Sequence, residues 1–319
     1  MFLTPQPLHL PDGFLHPGVA IVGWALAALL IAMAIRQTRK QLGERQIPLM
    51  GVLAAFIFAA QAVNFPVATG TSGHLLGGAL AAIAMGPWAA TLIMTAVIAV
   101  QGLLFQDGGL LVMGWNILNM GILTAFGGHA VYALVRRLSG DSRSSKLAGA
   151  AAGAWVSVEI GAIATAIELA VSGTSPLRLA LPAMASVHAL IGIGESVLTA
   201  GAVGFLLATR PEVLGSAQKA PGRASSSVVL VGLMIALGTA AISPLASPNP
   251  DGLEAVAERQ GFLGLGLPSP ISFLPDYLVP GLEDPTLATI LAVGAGALVV
   301  FAVAWLVGRA IRSHAPSGK

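Results

Sequence analysis

The chain has 319 residues, of which 55% are hydrophobic and only 9% charged, with a mean hydropathy of +0.84. A water-soluble body of this size needs about 25% charged residues to cover its surface, so the bilayer is the solvent here. Sixteen basic residues against fourteen acidic leave a net charge of +2, which excludes nucleic acid as a partner, and the absence of cysteine excludes disulfides, thiolate metal sites and cysteine nucleophiles.

A membrane-crossing helix needs about 20 mostly apolar residues. In chain order, such stretches are expected at Gly18–Ile35, Ile47–Phe65, Trp88–Phe105, Leu110–Val135, Leu147–Val171, Leu181–Thr209, Ser227–Leu245 and Leu287–Ile311. A shorter one, His74–Met85, is rich in glycine and alanine and can cross only if tilted or shielded, as half-helices beside binding cavities are. The fold class expected is an all-α membrane protein, a polytopic bundle of about nine transmembrane helices in the cell membrane. Arg36, Arg39, Lys40, Arg45, Arg136, Arg137, Arg143, Lys146, Arg210, Lys219, Arg223, Arg309, Arg312 and Lys319 then fall on one side, leaving Arg178 and Arg259 on the other. The positive-inside rule puts the N-terminus outside and the C-terminus in the cytoplasm. Three regions are expected: residues 1–209, a basic and serine-rich linker at 210–226, and residues 227–319 with two spans around an acidic outer loop, Ala246–Pro285. The first residues lack the basic start and long apolar run of a signal peptide.

Imidazoles and charges at membrane depth are costly and need a reason to be there. His9 lies in LHLPDGFL, where Pro11 and the Asp12-Gly13 turn fix the backbone, and His74 follows Gly70-Thr71-Ser72-Gly73. Both fall on the outer side. Nitrogen donors without cysteine suit Ni²⁺, Co²⁺ or Cu²⁺. The bland alternative is a solvated His9 and a His74 that bonds a loop carbonyl. His188 and Glu195, seven apart, share a helix face and could be a proton relay, a second metal site or a packing pair. His16 is a further outer-side histidine. Asn116 and Asn119 form a polar stripe of the kind that bonds neighbouring helices. Glu159 and Glu168, nine apart, point to opposite faces. There is no P-loop, H-E-x-x-H or G-x-S-x-G, so ATP use by that route and hydrolysis both lack a signature.

LHLPDGFL, together with NFPVATGTSGHLLGGALAAI, GPWAA, LLFQDGGLLVMGWNILNMG and HALIGIGE, resembles the substrate-binding membrane components (CbiM/NikM type) of energy-coupling factor transporters for cobalt and nickel. The likeness runs from about Leu8 to Thr209. Pro250-Asp251-Gly252-Leu253-Glu254 resembles the small accessory component of the same systems, implying a fusion of the two. The resemblance implies a transporter component rather than an enzyme, with cobalt(2+) or nickel(2+) as cargo and no organic cofactor. It also implies two kinds of partner, a transmembrane coupling protein and two cytoplasmic ATPases. It carries the metal-ligating imidazoles onto His9 and His74, beside a terminal amine and the next backbone nitrogen. Leu8, Pro11, Asp12, Gly13, Gly73, Asn116 and Asn119 are the expected support, and His16, His188 and Glu195 are secondary candidates. Leu8 stands where the family has its terminal methionine, so translation is expected to begin at position 8. The outer loop is expected near the metal entry point. Cobalt is favoured over nickel, without a physical argument separating them. The other function class is an ion-coupled secondary transporter using His188 and Glu195.

Overall fold

The computed structural model describes residues 9–209, 214, 226–271 and 273–313. The expected start at Leu8 and nearly all of the linker at 210–226 lie outside the described residues. Helices form wherever the apolar stretches were read. They are α1 (Pro17–Gln41), α2 (Gln46–Gln61), α3 (Gly78–Met85), α4 (Pro87–Leu104), α5 (Met113–Ser139), α6 (Arg143–Val171), α7 (Leu177–Thr209), α8 (Ser226–Ala241), α9 (Gly252–Gln260) and α10 (Pro285–Ser313). Seven of the described helices are long and apolar enough to cross a membrane. The protein is a multi-pass, mainly helical membrane protein.

Three of the described helices fall short: the nine-residue α9 in the loop before α10, and α2 and α3 within the bundle. The 16 residues of α2 reach about 24 Å and the eight of α3 about 12 Å, at 1.5 Å per residue. Every residue of α3 is buried, packed against α4, α5 and α6. A half-length helix survives there because protein, not lipid, surrounds its ends.

The expected second span ends early. The helix stops at Gln61, and Phe65, the last residue of the expected span, joins Pro66 and Val67 in β1 (Phe65–Val67), paired antiparallel with β2 (Thr71–Gly73). The all-α class stands, and only the end of the expected second span is corrected, to a two-stranded hairpin. Pro66 cannot donate a helical hydrogen bond, and the chain turns at Gly70, whose φ of +74° favours glycine. Helix α5 widens to a π-helical stretch at Ile117–Leu123, a feature often found beside functional sites.

Small residues let the helices approach. At the α5–α6 crossing, a side chain on Gly153 would overlap the Gly128 carbonyl, the close backbone contact typical of membrane bundles. Helices α8 and α10 pack on α2. The loop between α8 and α10 carries α9, whose N-cap Asp251 accepts from the Glu254 N–H at 2.7 Å.

Candidate metal site

Two backbone segments, one ahead of α1 and one between β2 and α3, carry the two candidate ligands. The first is His9–Leu15. Asn116, one turn into α5, clamps it at two points: the Leu10 N–H donates to Asn116 Oδ1 at 3.2 Å, and Asn116 Nδ2 donates to the Leu10 carbonyl at 3.1 Å. The Asp12 carboxylate accepts from three successive amides, Leu110 at 3.0 Å, Leu111 at 2.8 Å and Val112 at 3.1 Å. These are groups ahead of α5 that would otherwise be orphaned. The Pro11 carbonyl receives the Phe14 N–H at 3.5 Å, closing the turn around Asp12-Gly13. Gly13 has a φ of +94°, and a Cβ there would overlap the Leu265 carbonyl.

The second segment carries His74 between β2 and α3. Glu195 on α7 accepts from the Leu76 N–H at 2.6 Å and the Gly77 N–H at 3.0 Å. Gln61 Nε2 donates to the Leu76 carbonyl at 2.8 Å, and Gln101 Nε2 donates to Gln61 Oε1 at 2.8 Å. Glu195 is fully buried, and its two bonds seat the turn after His74.

His9 and His74 are 2% and 7% exposed, and their ring centroids lie 5.8 Å apart. A metal–imidazole bond is about 2.0–2.1 Å, and the ring centre lies about 1.1 Å behind its nitrogen. One ion can therefore bridge rings up to about 6.3 Å apart. The bland reading is half corrected: His9 is not solvated, because α5 and the turn before it bury it, while His74 Nδ1 does bond the Leu75 carbonyl at 3.1 Å. That bond places the hydrogen on Nδ1 and leaves Nε2 its lone pair. His9 Nδ1 likewise faces the Asp107 carbonyl at 3.3 Å and Oδ1 at 3.4 Å, while its buried Nε2 has no hydrogen-bond partner among the described residues.

Both rings line a cavity of about 70 Å³, with Gly73, Asn116, Asn119, His188 and Asp251 among its other walls. His188 is half-buried, its Nδ1 bonded to the Met184 carbonyl at 2.8 Å. Asn119 Nδ2 donates to Thr165 Oγ1 at 3.2 Å and Glu168 Oε2 at 3.0 Å. His16 is elsewhere: exposed, it caps α1 by accepting from the Gly18 N–H at 3.1 Å. Among the described residues, no three His, Asp or Glu side chains form a ready metal cluster.

Three residues near the site were not singled out from sequence. Asp107 lay in the quoted FQDGG stretch without an assigned role. Tyr277 donates to Asp107 Oδ2 at 2.6 Å from 170 residues away. Asp251 joins the cavity wall from the loop between α8 and α10, and burial pushes its carboxyl up to about 8. That loop roofs the site. The Ser72 N–H donates to the Pro250 carbonyl at 2.8 Å, Ser72 Oγ to the Asn249 carbonyl at 2.8 Å, and the Leu267 N–H to the Asp12 carbonyl at 2.7 Å.

Residues 9–213 match the family described as "cobalt uptake substrate-specific transmembrane region". The chain belongs to this family. Residues 226–313 match the PDGLE domain, so this member of the cobalt-uptake family carries the accessory part fused behind it. The putative fused nickel transport protein NikMN of Archaeoglobus fulgidus is 36% identical over 313 residues, covering 96% of this chain and 100% of that one. The cobalt transport protein CbiM of Sorangium cellulosum is 32% identical over 216 residues, 66% of this chain and 96% of that one. A crystal structure titled as a truncated transition metal transporter superposes with a TM-score of 0.57 at 33% identity, covering 63% of this chain and 98% of that one.

Proposed function

We propose that this protein captures a divalent nickel or cobalt ion from the outer side between His9 and His74. It then passes the ion inward as the substrate-binding part of an ATP-driven energy-coupling factor transporter. The observation that carries the reading is the pair of buried rings 5.8 Å apart, each with its Nδ1 on an oxygen acceptor. Two imidazole nitrogens form half of a four-nitrogen set. A chain amine and a backbone nitrogen ahead of His9, as in the family, would supply the rest. Such a set suits Ni²⁺. The relative that matches end to end is named for nickel, which turns the preference from cobalt toward nickel.

In this proposal residues 1–209 hold the metal, 210–226 link on the cytoplasmic side, and 227–319 roof the site from outside. The N-terminus is outside and the C-terminus cytoplasmic. ATP hydrolysis resides on two cytoplasmic partner subunits joined through a transmembrane coupling protein. Glu195 is committed to two backbone amides, which argues against its use as a mobile proton carrier. Reconstitution in liposomes tests the reading. The protein alone binds nickel but shows no concentrative uptake under a proton or sodium gradient, and adding the coupling protein, ATPases and ATP restores it. Uptake by the protein alone under an ion gradient would establish the secondary-transporter reading instead.

A further inference from the structure

The proposed ligand His9 is tied, through one carboxylate, to the fused accessory part. Asp107 lies in the turn between α4 and α5. Its backbone oxygen and Oδ1 both face His9 Nδ1, at 3.3 Å and 3.4 Å. Both oxygens are acceptors, so the hydrogen sits on Nδ1 and the lone pair on Nε2, the buried nitrogen with no hydrogen-bond partner among the described residues. The other carboxylate oxygen, Oδ2, accepts from the Tyr277 hydroxyl at 2.6 Å. Tyr277 lies within the PDGLE-matching residues.

The hydroxyl is held where it is by rigid parts. The Tyr277 ring stacks on Phe105 at 4.8 Å and 23°, and leans on Phe58 at 6.1 Å. Asp276 and Tyr277 both adopt left-handed backbone, with φ of 54° and 59°, which is costly for residues with side chains and persists only where the surroundings enforce it. Two bonds do so: the Leu274 N–H donates to the Leu104 carbonyl at 2.9 Å, and Gln106 Nε2 donates to the Ile271 carbonyl at 2.5 Å. These anchors grip the chain on the N-terminal side of Asp107. Burial and the adjacent carboxylate push the Tyr277 hydroxyl well above its usual range, so it is a donor.

We propose that Tyr277 is a positioning residue through which the accessory part sets the strength of the metal site. Its hydroxyl fixes the Asp107 carboxylate, and the carboxylate keeps the His9 hydrogen on Nδ1, so that Nε2 faces the cation. The inference rests on the proposed role of His9 as a ligand. Carboxylates behind metal-bound imidazoles orient the ring and raise its basicity, and their loss typically costs about 10- to 100-fold in affinity.

The test uses the full chain in detergent and two variants, Tyr277→Phe, which keeps the aromatic stack, and Asp107→Asn. In metal-free protein, ¹⁵N-histidine spectra, with the His9 signal assigned through His9→Gln, should show a single Nδ1–H tautomer in the parent. In Tyr277→Phe a second, Nε2–H population should appear, and Ni²⁺ affinity, measured by competition with a chromogenic chelator, should fall about 10-fold or more. Asp107→Asn should show the larger change in both. An unaltered His9 tautomer together with an unaltered nickel affinity in Tyr277→Phe would overturn the inference. If that result came while His9→Gln lost nickel binding, the inference alone would fail. If His9→Gln kept full nickel binding, the ligand reading would fail and the inference with it.

Discussion

Asn116→Leu isolates the clamp on the N-terminal segment. The substitution keeps the number and branching of the side-chain heavy atoms but removes both bonds to Leu10. The Leu10 carbonyl keeps a second donor, the Gly109 N–H at 2.8 Å, so its loss is the smaller share, about 0.5–1.5 kcal/mol. The Leu10 N–H has no such substitute and Leu10 is 3% exposed; an orphaned buried amide costs about 1–3 kcal/mol. The sum is roughly 1.5–4.5 kcal/mol. It falls on the seating of one segment rather than on the bundle, because α5 keeps its packing on its neighbours. If His9 binds metal only when that segment is seated, the nickel Kd should rise by about 10-fold to about 1,600-fold, at 1.4 kcal/mol per decade. The assay is chelator competition in detergent, with the thermal unfolding midpoint followed alongside. A Kd within threefold of the parent would refute the reasoning, since the clamp would then have no bearing on the site.

Other outcomes follow from the same geometry. Glu195→Gln keeps one acceptor oxygen and leaves the Leu76 or Gly77 amide unpaired, so nickel affinity should fall about 10-fold, and Glu195→Ala further, at about 1–3 kcal/mol per orphaned amide. Gly13→Ala places a Cβ against the Leu265 carbonyl at a φ of +94°; limited proteolysis should cut the outer loop faster than in the parent. Asp251, buried with its carboxyl pushed up to about 8, stays protonated when the roof is docked but ionises near 4 when it is not. The undocked state therefore holds fewer protons between about pH 4 and 8, and docking weakens as pH rises through that window. Hydrogen exchange of α9 in metal-free protein should quicken from pH 5 to pH 8 beyond its intrinsic rate, and Asp251→Asn should flatten the trend.

Much of this architecture was legible because the bilayer demands long apolar runs, and the runs ended where helices end. The reading failed where local chemistry outweighed hydropathy. Pro66 and Gly70 turned the end of the second apolar stretch into a hairpin whose three-residue strands are too short to leave an alternating pattern. Helix α9 had a visible start, Asp251 three residues before Glu254, yet the surrounding loop composition concealed it. At the candidate site, His9, His74 and Asn116 were singled out from motif and type, and His16, a secondary candidate, instead caps α1. Glu195 was noticed as a buried charge, but its partners, the amides of Leu76 and Gly77, are set by tertiary contact. Asp107 and Tyr277 could not have been paired from sequence, since 170 residues separate them and no periodicity links them.

The central claim is that two imidazoles, His9 and His74, hold one cation. Metal analysis and X-ray absorption on protein purified after growth with equal nickel and cobalt test it most directly, with the parent and His74→Ala compared. The account predicts one ion per parent chain, bound by nitrogen donors at about 2 Å with imidazole scattering, and none retained by the folded, membrane-inserted variant. Stoichiometric metal in His74→Ala with an unchanged absorption spectrum would contradict it.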